Sequence, residues 1–347
     1  MSFNVMEKLR KFFLGLEEEL SSSRKFRPRY IELTNFLPSN DEDVDRVSEV
    51  EVDETIVLEN TPSDYYVLEK VSGNGKVLAV DASSFRVGET EKGIIAAYRA
   101  SIVVFDKDSY EVSKFGPFVV HLTEENRVYV YNFLRGVLGL DEVDEKRVPR
   151  LFKMVDRVRN FIERFLQIEF ADFIREGFVL WDGSLTGDTV DTPRRVLEEA
   201  LSRARNAGNS VFGVSKTSRL KTVDGRRLID LLCDVYKPAY VKVHKLLSKD
   251  LAKRILGEVF AVKFSPDGFT FRVDVYPRDG SIGEVELKRL FSVCPIFNGY
   301  PDPLRLAHIN CYFTGDEVLA LQTYVVEKYG LEVIPAFDVR RFILYPF

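Results

Sequence analysis

The chain has 347 residues, 45% hydrophobic and 30% charged, with a formal net charge of −5. That balance belongs to a folded protein with a sizeable core and excludes a disordered chain. No apolar run approaches the roughly 18 residues of a membrane helix, and residues 1–20 mix charged with apolar side chains, unlike a signal peptide. Cys233, Cys294 and Cys311 are far apart without CxxC spacing. This argues against a disulfide scaffold or a cysteine-rich zinc site and suits a reducing cytoplasm. With only His121, His244 and His308, a HExxH zinc site is absent.

In chain order, residues 3–20 space Phe, Met and Leu as an amphipathic helix, able to pack on its own core or on a second subunit. Residues 21–64 read as a connecting region; within it, 41–60 carry nine acidic residues against one basic. The first strong strand is KVLAV, 76–80, closed by Asp81. The apolar run 93–105 reads as one long strand or two paired ones, and 151–175 is the longest helix candidate. FVLW, 178–181, is a second buried strand, closed by Asp182. Thr192-Pro193 opens a helix to about Ala207, and SVFGV, 210–214, is a third strand ending at Ser215-Lys216. Residues 257–264 and 269–276 flank Ser-Pro-Asp-Gly as a hairpin, and helices are expected at about 303–312 and 315–329. Strands alternating with helices indicate an α/β fold. Residues 194–254 carry fifteen basic residues against six acidic, a local attraction for phosphates inside an acidic protein.

Two segments share one design: KVLAV-Asp81-Ala-Ser-Ser and FVLW-Asp182-Gly-Ser. In open α/β sheets the functional crevice lies beyond the carboxyl ends of the strands. If these strands are parallel neighbours, the two carboxylates meet, and then they need a cation or one keeps a proton. Hard cations such as magnesium and manganese prefer oxygen ligands. The helix 151–175 offers Glu163, Glu169 and Asp172 as further acids, and Glu169 has apolar neighbours in Ile168, Phe170 and Phe173. Trp181 continues a buried run and reads as core, and Asp274, alternating with apolar residues, reads as an exposed strand residue. A metal nuclease uses such a rim, and so does an actin-like phosphotransferase. The latter needs phosphate loops, and neither GxxxxGK[ST] nor a glycine cluster is present. A non-catalytic adaptor is a further alternative, disfavoured by the two intact aspartates.

Asp81-Ala-Ser-Ser-Phe, Trp181-Asp182-Gly-Ser-Leu, Val214-Ser215-Lys216-Thr-Ser and Gly299-Tyr300-Pro-Asp-Pro-Leu-Arg-Leu-Ala-His308 occur in that order. This series, spanning residues 76 to about 330, resembles the NurA family of prokaryotic, chiefly archaeal, nucleases. The resemblance implies a mixed sheet with an RNase H-like, PIWI-like core and flanking helices in 65–347. An N-terminal helix and acidic connecting region would occupy 1–64. It implies a Mn2+-dependent (Mg2+ possible) 5′-to-3′ exonuclease on single- and double-stranded DNA that also cuts single strands internally. It further implies a homodimer acting with the hexameric HerA translocase, beside Mre11–Rad50, in resecting DNA ends. Carried over, Asp81, Asp182 and a helix acid, Glu169 with Glu163 as fallback, would hold the metal. His308 would be a further ligand or a general acid/base, since histidine titrates near neutrality. Tyr300 would join the catalytic set, and Lys216, with the nearby Arg219, would contact DNA phosphate. Ala82 stands where many members have glycine, which matters only if the position requires positive φ.

Overall fold

The computed structural model describes residues 7, 10–15, 28–34, 56–62, 64–188 and 193–334. A helical segment at 10–15 (α1) comes first. Strands Tyr30–Leu33 (β1), Ile56–Val57 (β2) and Tyr66–Val67 (β3) follow, then three long strands, Val77–Thr90 (β4), Gly93–Asp106 (β5) and Ser109–Thr123 (β6). Helices Arg127–Val137 (α2) and Leu151–Glu169 (α3) lead to Phe178–Asp182 (β7), and Arg194–Asn206 (α4) leads to Ser210–Ser215 (β8). Next come Leu220–Lys221 (β9), Ala239–Lys242 (β10), Lys249–Arg254 (α5), Glu258–Lys263 (β11), Thr270–Tyr276 (β12) and Gly283–Val293 (α6). The small hairpin Ile296–Phe297 (β13) and Tyr300–Pro301 (β14) precedes Asp302–Cys311 (α7), Gly315–Tyr329 (α8) and Glu332–Ile334 (β15).

The central sheet runs β6-β5-β4-β7-β8-β12-β11-β10-β3. The meander β4-β5-β6 is antiparallel, β7 joins β4 in parallel, and β8 joins β7 in parallel. The remaining strands add antiparallel, and β1 with β15 extends the sheet from the far half of β4. This is a mixed sheet with flanking helices, as the α/β pattern and the resemblance led us to expect. Both faces are covered, so the core strands are apolar on both sides. Leu78, Val80 and Trp181 face α3, whose Phe161 and Phe165 pack on them. Val77, Ala79, Phe178 and Leu180 face the opposite way, towards Leu287 of α6 and Leu304 and Ala307 of α7. With a period of two, Asp81 continues the face of Val77 and Ala79, and Asp182 that of Phe178 and Leu180.

Three expectations need correction. Asp81 does not close a strand: β4 continues to Thr90 because β5 pairs along its whole length, including Asp81↔Ser101. Ala82 therefore sits in extended backbone, where a methyl group is tolerated. Within residues 21–64 the described parts are more than a connector, since β1 pairs with β4 and β15 and β2 pairs with β9; residues 21–27, 35–55 and 63 lie outside the described residues. The long helix stops at Glu169 rather than 175. In α1, Phe12 stacks on Phe133 at 3.7 Å between centroids, and Phe13 on Phe118 at 5.1 Å. These two rings of the stripe are buried in their own chain; Phe3, Met6, Leu9, Leu16 and Leu20 lie outside the described residues. Among the described residues no helix is long and apolar enough to cross a membrane.

β8 passes so close to the turn after β7 that a Cβ on Gly213 would lie 2.7 Å from the Gly183 carbonyl oxygen and 3.1 Å from Leu185. Gly213→Ala is expected to cost about 1–3 kcal/mol by overpacking, read as a lower midpoint in chemical denaturation. An unchanged midpoint would show that this turn is free to shift.

Candidate functional site

β4 and β7 stay paired as far as Val80↔Trp181 and diverge at the next residue. Adjacent strands lie about 4.8 Å apart, so the divergence leaves Asp81 and Asp182 side by side on the face covered by α7. Asp81 is buried. Its Oδ1 accepts a hydrogen bond from the Ala82 backbone N–H at 2.8 Å, and its Oδ2 lies 2.8 Å from His308 Nδ1. His308 is delivered by α7, which comes close to the sheet at the fully buried Ala307. The Ser101 hydroxyl donates to the Ala307 carbonyl at 2.7 Å, and Arg99 donates to the Tyr312 carbonyl at 3.2 Å. Arg99 also pairs with Glu317 at 2.8 Å, so the end of α7 and the start of α8 are tied to β5.

Asp182 ends β7, and its Oδ2 accepts a hydrogen bond from Lys216 Nζ at 2.8 Å. The chain turns sharply afterwards, with Gly183 at φ +99, a conformation that suits glycine. Lys216 lies over the Tyr300 ring, 5.4 Å from its centroid. The Tyr300 hydroxyl is buried without a hydrogen-bond partner. Burial, reinforced by Asp182 and Asp81, raises it far above the usual tyrosine range, so it stays a neutral donor.

Of the two helix acids named from the sequence, Glu163 is the one on which the Asp81 and Asp182 charges act. Burial, together with the charges of Asp81 and Asp182 and against the opposing pull of Arg164 and Arg159, pushes the Glu163 carboxyl up to about 8. Gln167 donates to Glu163 Oε1 at 2.9 Å, one turn along α3. Six residues turn a helix by about 240°, so Glu169 faces elsewhere; it pairs with Arg203 of α4 at 3.6 Å. Arg219 lies exposed on the loop after Lys216. The basic segment is less available than its composition suggests. Arg203 also approaches Asp172, while Arg205 faces Asp279, Arg226 faces Asp224 and Arg227 faces Asp230.

Two residues were not anticipated. Asp274, read as an exposed strand residue, is fully buried. It takes both Nε and Nη2 of Arg272, at 2.8 and 2.7 Å, and accepts from the Leu185 backbone N–H at 2.9 Å. Arg272 in turn donates to the Thr186 hydroxyl at 3.3 Å. This buried pair therefore fixes the loop that follows Asp182. Cys311 stands one turn after His308 on α7, buried, and its sulfur, the His308 ring and Asp81 offer ligand atoms all within 4.8 Å of one another. Burial and the Asp81 carboxylate push its thiol well above the usual range. Its position three residues after His308 was the one available signal.

Carboxylates on one face, with an imidazole beside one of them, are of the donor type that a hard divalent cation takes. Asp81, Asp182 and Glu163 offer oxygens, and burial, with the charges of Asp81 and Asp182 added to it, raises the Glu163 carboxyl.

No protein-family model and no curated protein matches this chain. Among solved structures, it is similar to the NurA nuclease from Sulfolobus solfataricus, at 17% identity over 76% of this chain and 87% of that one, with a TM-score of 0.47. A NurA structure bound to dAMP and manganese gives 9% identity, covering 76% of this chain and 90% of that one, with a TM-score of 0.44. Endonuclease V from Bacillus subtilis gives 14% identity, covering 76% and 88%, with a TM-score of 0.35.

In metal-free protein, Glu163 keeps its proton up to about 8, whereas the unfolded chain releases it near 4.5. Stability therefore falls as pH rises between those values, by at most a few kcal/mol. Glu163→Gln is expected to flatten this region of the pH profile, measured by urea denaturation at pH 5 and pH 8; parallel profiles would contradict the shift. Asp274→Asn leaves Arg272 without its countercharge and is expected to cost about 3–5 kcal/mol. Adding Arg272→Met should recover some of that loss, and strictly additive losses would show that the two side chains act independently.

Proposed function

We propose that this chain is a metal-dependent DNA nuclease that hydrolyses phosphodiester bonds at the Asp81–Asp182–Glu163 centre. The observation that carries the reading is that the divergence of β4 and β7 brings Asp81 and Asp182 to one face of the sheet, with His308 Nδ1 2.8 Å from Asp81 and Lys216 Nζ 2.8 Å from Asp182. The carboxyls of such a centre become fully ionised at neutral pH once a cation lies among their oxygens. Asp81, Asp182 and Glu163 would hold Mn2+, with Mg2+ the other hard ion of suitable chemistry. The bound ion supplies a water that ionises near neutrality and charge that offsets the phosphodiester.

The chain's own side chains do the rest. Lys216, exposed beside Asp182, turns its ammonium to a phosphate oxygen. Tyr300 offers a neutral hydroxyl as a donor to the same group. His308, half exposed and bound to Asp81 through Nδ1, keeps Nε2 available to hand a proton to the departing oxygen. Arg219 extends the cationic rim towards the strand. The four-motif resemblance supports the finer reading: a 5′-to-3′ exonuclease on single- and double-stranded DNA that also cuts single strands. On the same support, it works in the cytoplasm as a homodimer with a HerA-type hexameric translocase, beside Mre11–Rad50, in resection of double-strand breaks.

The test is hydrolysis of end-labelled DNA with and without Mn2+. Asp81→Asn and Asp182→Asn should each slow the reaction by about a thousandfold, the scale of several kcal/mol of lost charge stabilisation. Far-UV circular dichroism should stay native. Full Mn2+-supported activity in either variant would refute the assignment.

A further inference from the structure

We infer that Cys311 gives this centre a second, softer mode of metal binding, in which Asp81, His308 and Cys311 together take Zn2+ or a similar ion. The inference rests on the reading of Asp81 as a metal-holding carboxylate, and it does not require nuclease activity. The three residues offer an oxygen, a nitrogen and a sulfur, all within 4.8 Å of one another. Ligands bonded to one zinc ion at about 2.0–2.3 Å stand roughly 3–4 Å apart in tetrahedral geometry, so a small closure of the site suffices.

The arrangement is held from two sides. Asp81 is fixed in β4 by its pairing with β5 and by the Ala82 N–H. His308 and Cys311 sit three residues apart on α7, which Ser101 ties to β5 through the carbonyl of Ala307. Cys311 is fully buried, and its thiol lies 3.2 Å from the His308 carbonyl. A buried thiol beside a carboxylate and an imidazole adds nothing to a hard-ion site, because Mn2+ has little affinity for sulfur. Zn2+ is borderline-soft and stands well above Mn2+ in the general order of site affinities. The same pocket therefore sorts ions by chemistry. Mn2+ settles among Asp81, Asp182 and Glu163, while Zn2+ draws Asp81 towards His308 and Cys311.

The balance is simple. Binding replaces the His308–Asp81 hydrogen bond, releases the Nδ1 proton of that bond to water while Nε2 keeps its own, and releases the Cys311 thiol proton to water. Zn2+ held this way takes Asp81 and His308 out of the hydrolytic arrangement, so it inhibits Mn2+-supported cleavage.

Co2+ serves as the spectroscopic probe for this mode, since thiolate coordination gives it a sulfur-to-cobalt charge-transfer band in the near ultraviolet. The full chain is used with Cys233→Ser, because Cys233 is exposed and would bind the probe adventitiously. Titration with CoCl2 should produce the band. Adding Cys311→Ser should abolish it and weaken Zn2+ binding by about tenfold or more, while Mn2+ affinity moves much less. Cys311→Ala repeats the measurement should the serine variant lose its native circular dichroism. Absence of the band in the Cys233→Ser protein, or its persistence without Cys311, overturns the inference. A band in a protein that cuts no DNA would sink the nuclease reading and leave this site standing; cleavage without a band would do the reverse.

Discussion

The structure is organised around one electrostatic constraint: Asp81 and Asp182 come to one face where β4 and β7 diverge, and their charges are felt by the buried Glu163 of α3. A carboxylate pair at that spacing repels, and the low-dielectric surroundings strengthen the repulsion. The fold holds the group together from outside. β5 keeps β4 straight past Asp81, so that residue cannot swing away into a turn. Lys216 offsets Asp182, His308 contacts Asp81, and the proton on Glu163 neutralises the third acid.

Much of this was legible because it depends on local pattern. An apolar run ending in aspartate marks a strand that brings a charge to a rim, and two such runs in parallel register put both charges on one face. The period of two explains why Asp81 and Asp182 face α7 rather than α3. The helix acid was harder, since it depends on helical phase. Apolar neighbours favoured Glu169, but α3 ends there, Phe173 is exposed, and Glu169 turns to Arg203. Glu163, one turn before Gln167, carries the right phase.

Asp274 was misread for a tertiary reason. In Arg-Val-Asp-Val the alternation looks like one wet face, yet β12 lies mid-sheet between β8 and β11 and is covered on both sides. A charge there must be paired, and Arg272 meets it through two hydrogen bonds. The pair contributes order more than net stability: it fixes the loop after Asp182 through Leu185 and Thr186. Similarly, a composition-based view of 194–254 overstated its free positive charge, because the arginines find acids close in sequence or on neighbouring elements.

If a cation replaces a proton among these carboxyls, calorimetry counts that proton directly. Mn2+ is titrated into the metal-free protein at pH 7 in buffers of different ionisation enthalpy. With Glu163 held at about 8, the account predicts release of about one proton per site. That release should vanish in Glu163→Gln. Binding with no proton released from the unaltered protein, or release that survives the substitution, would contradict it.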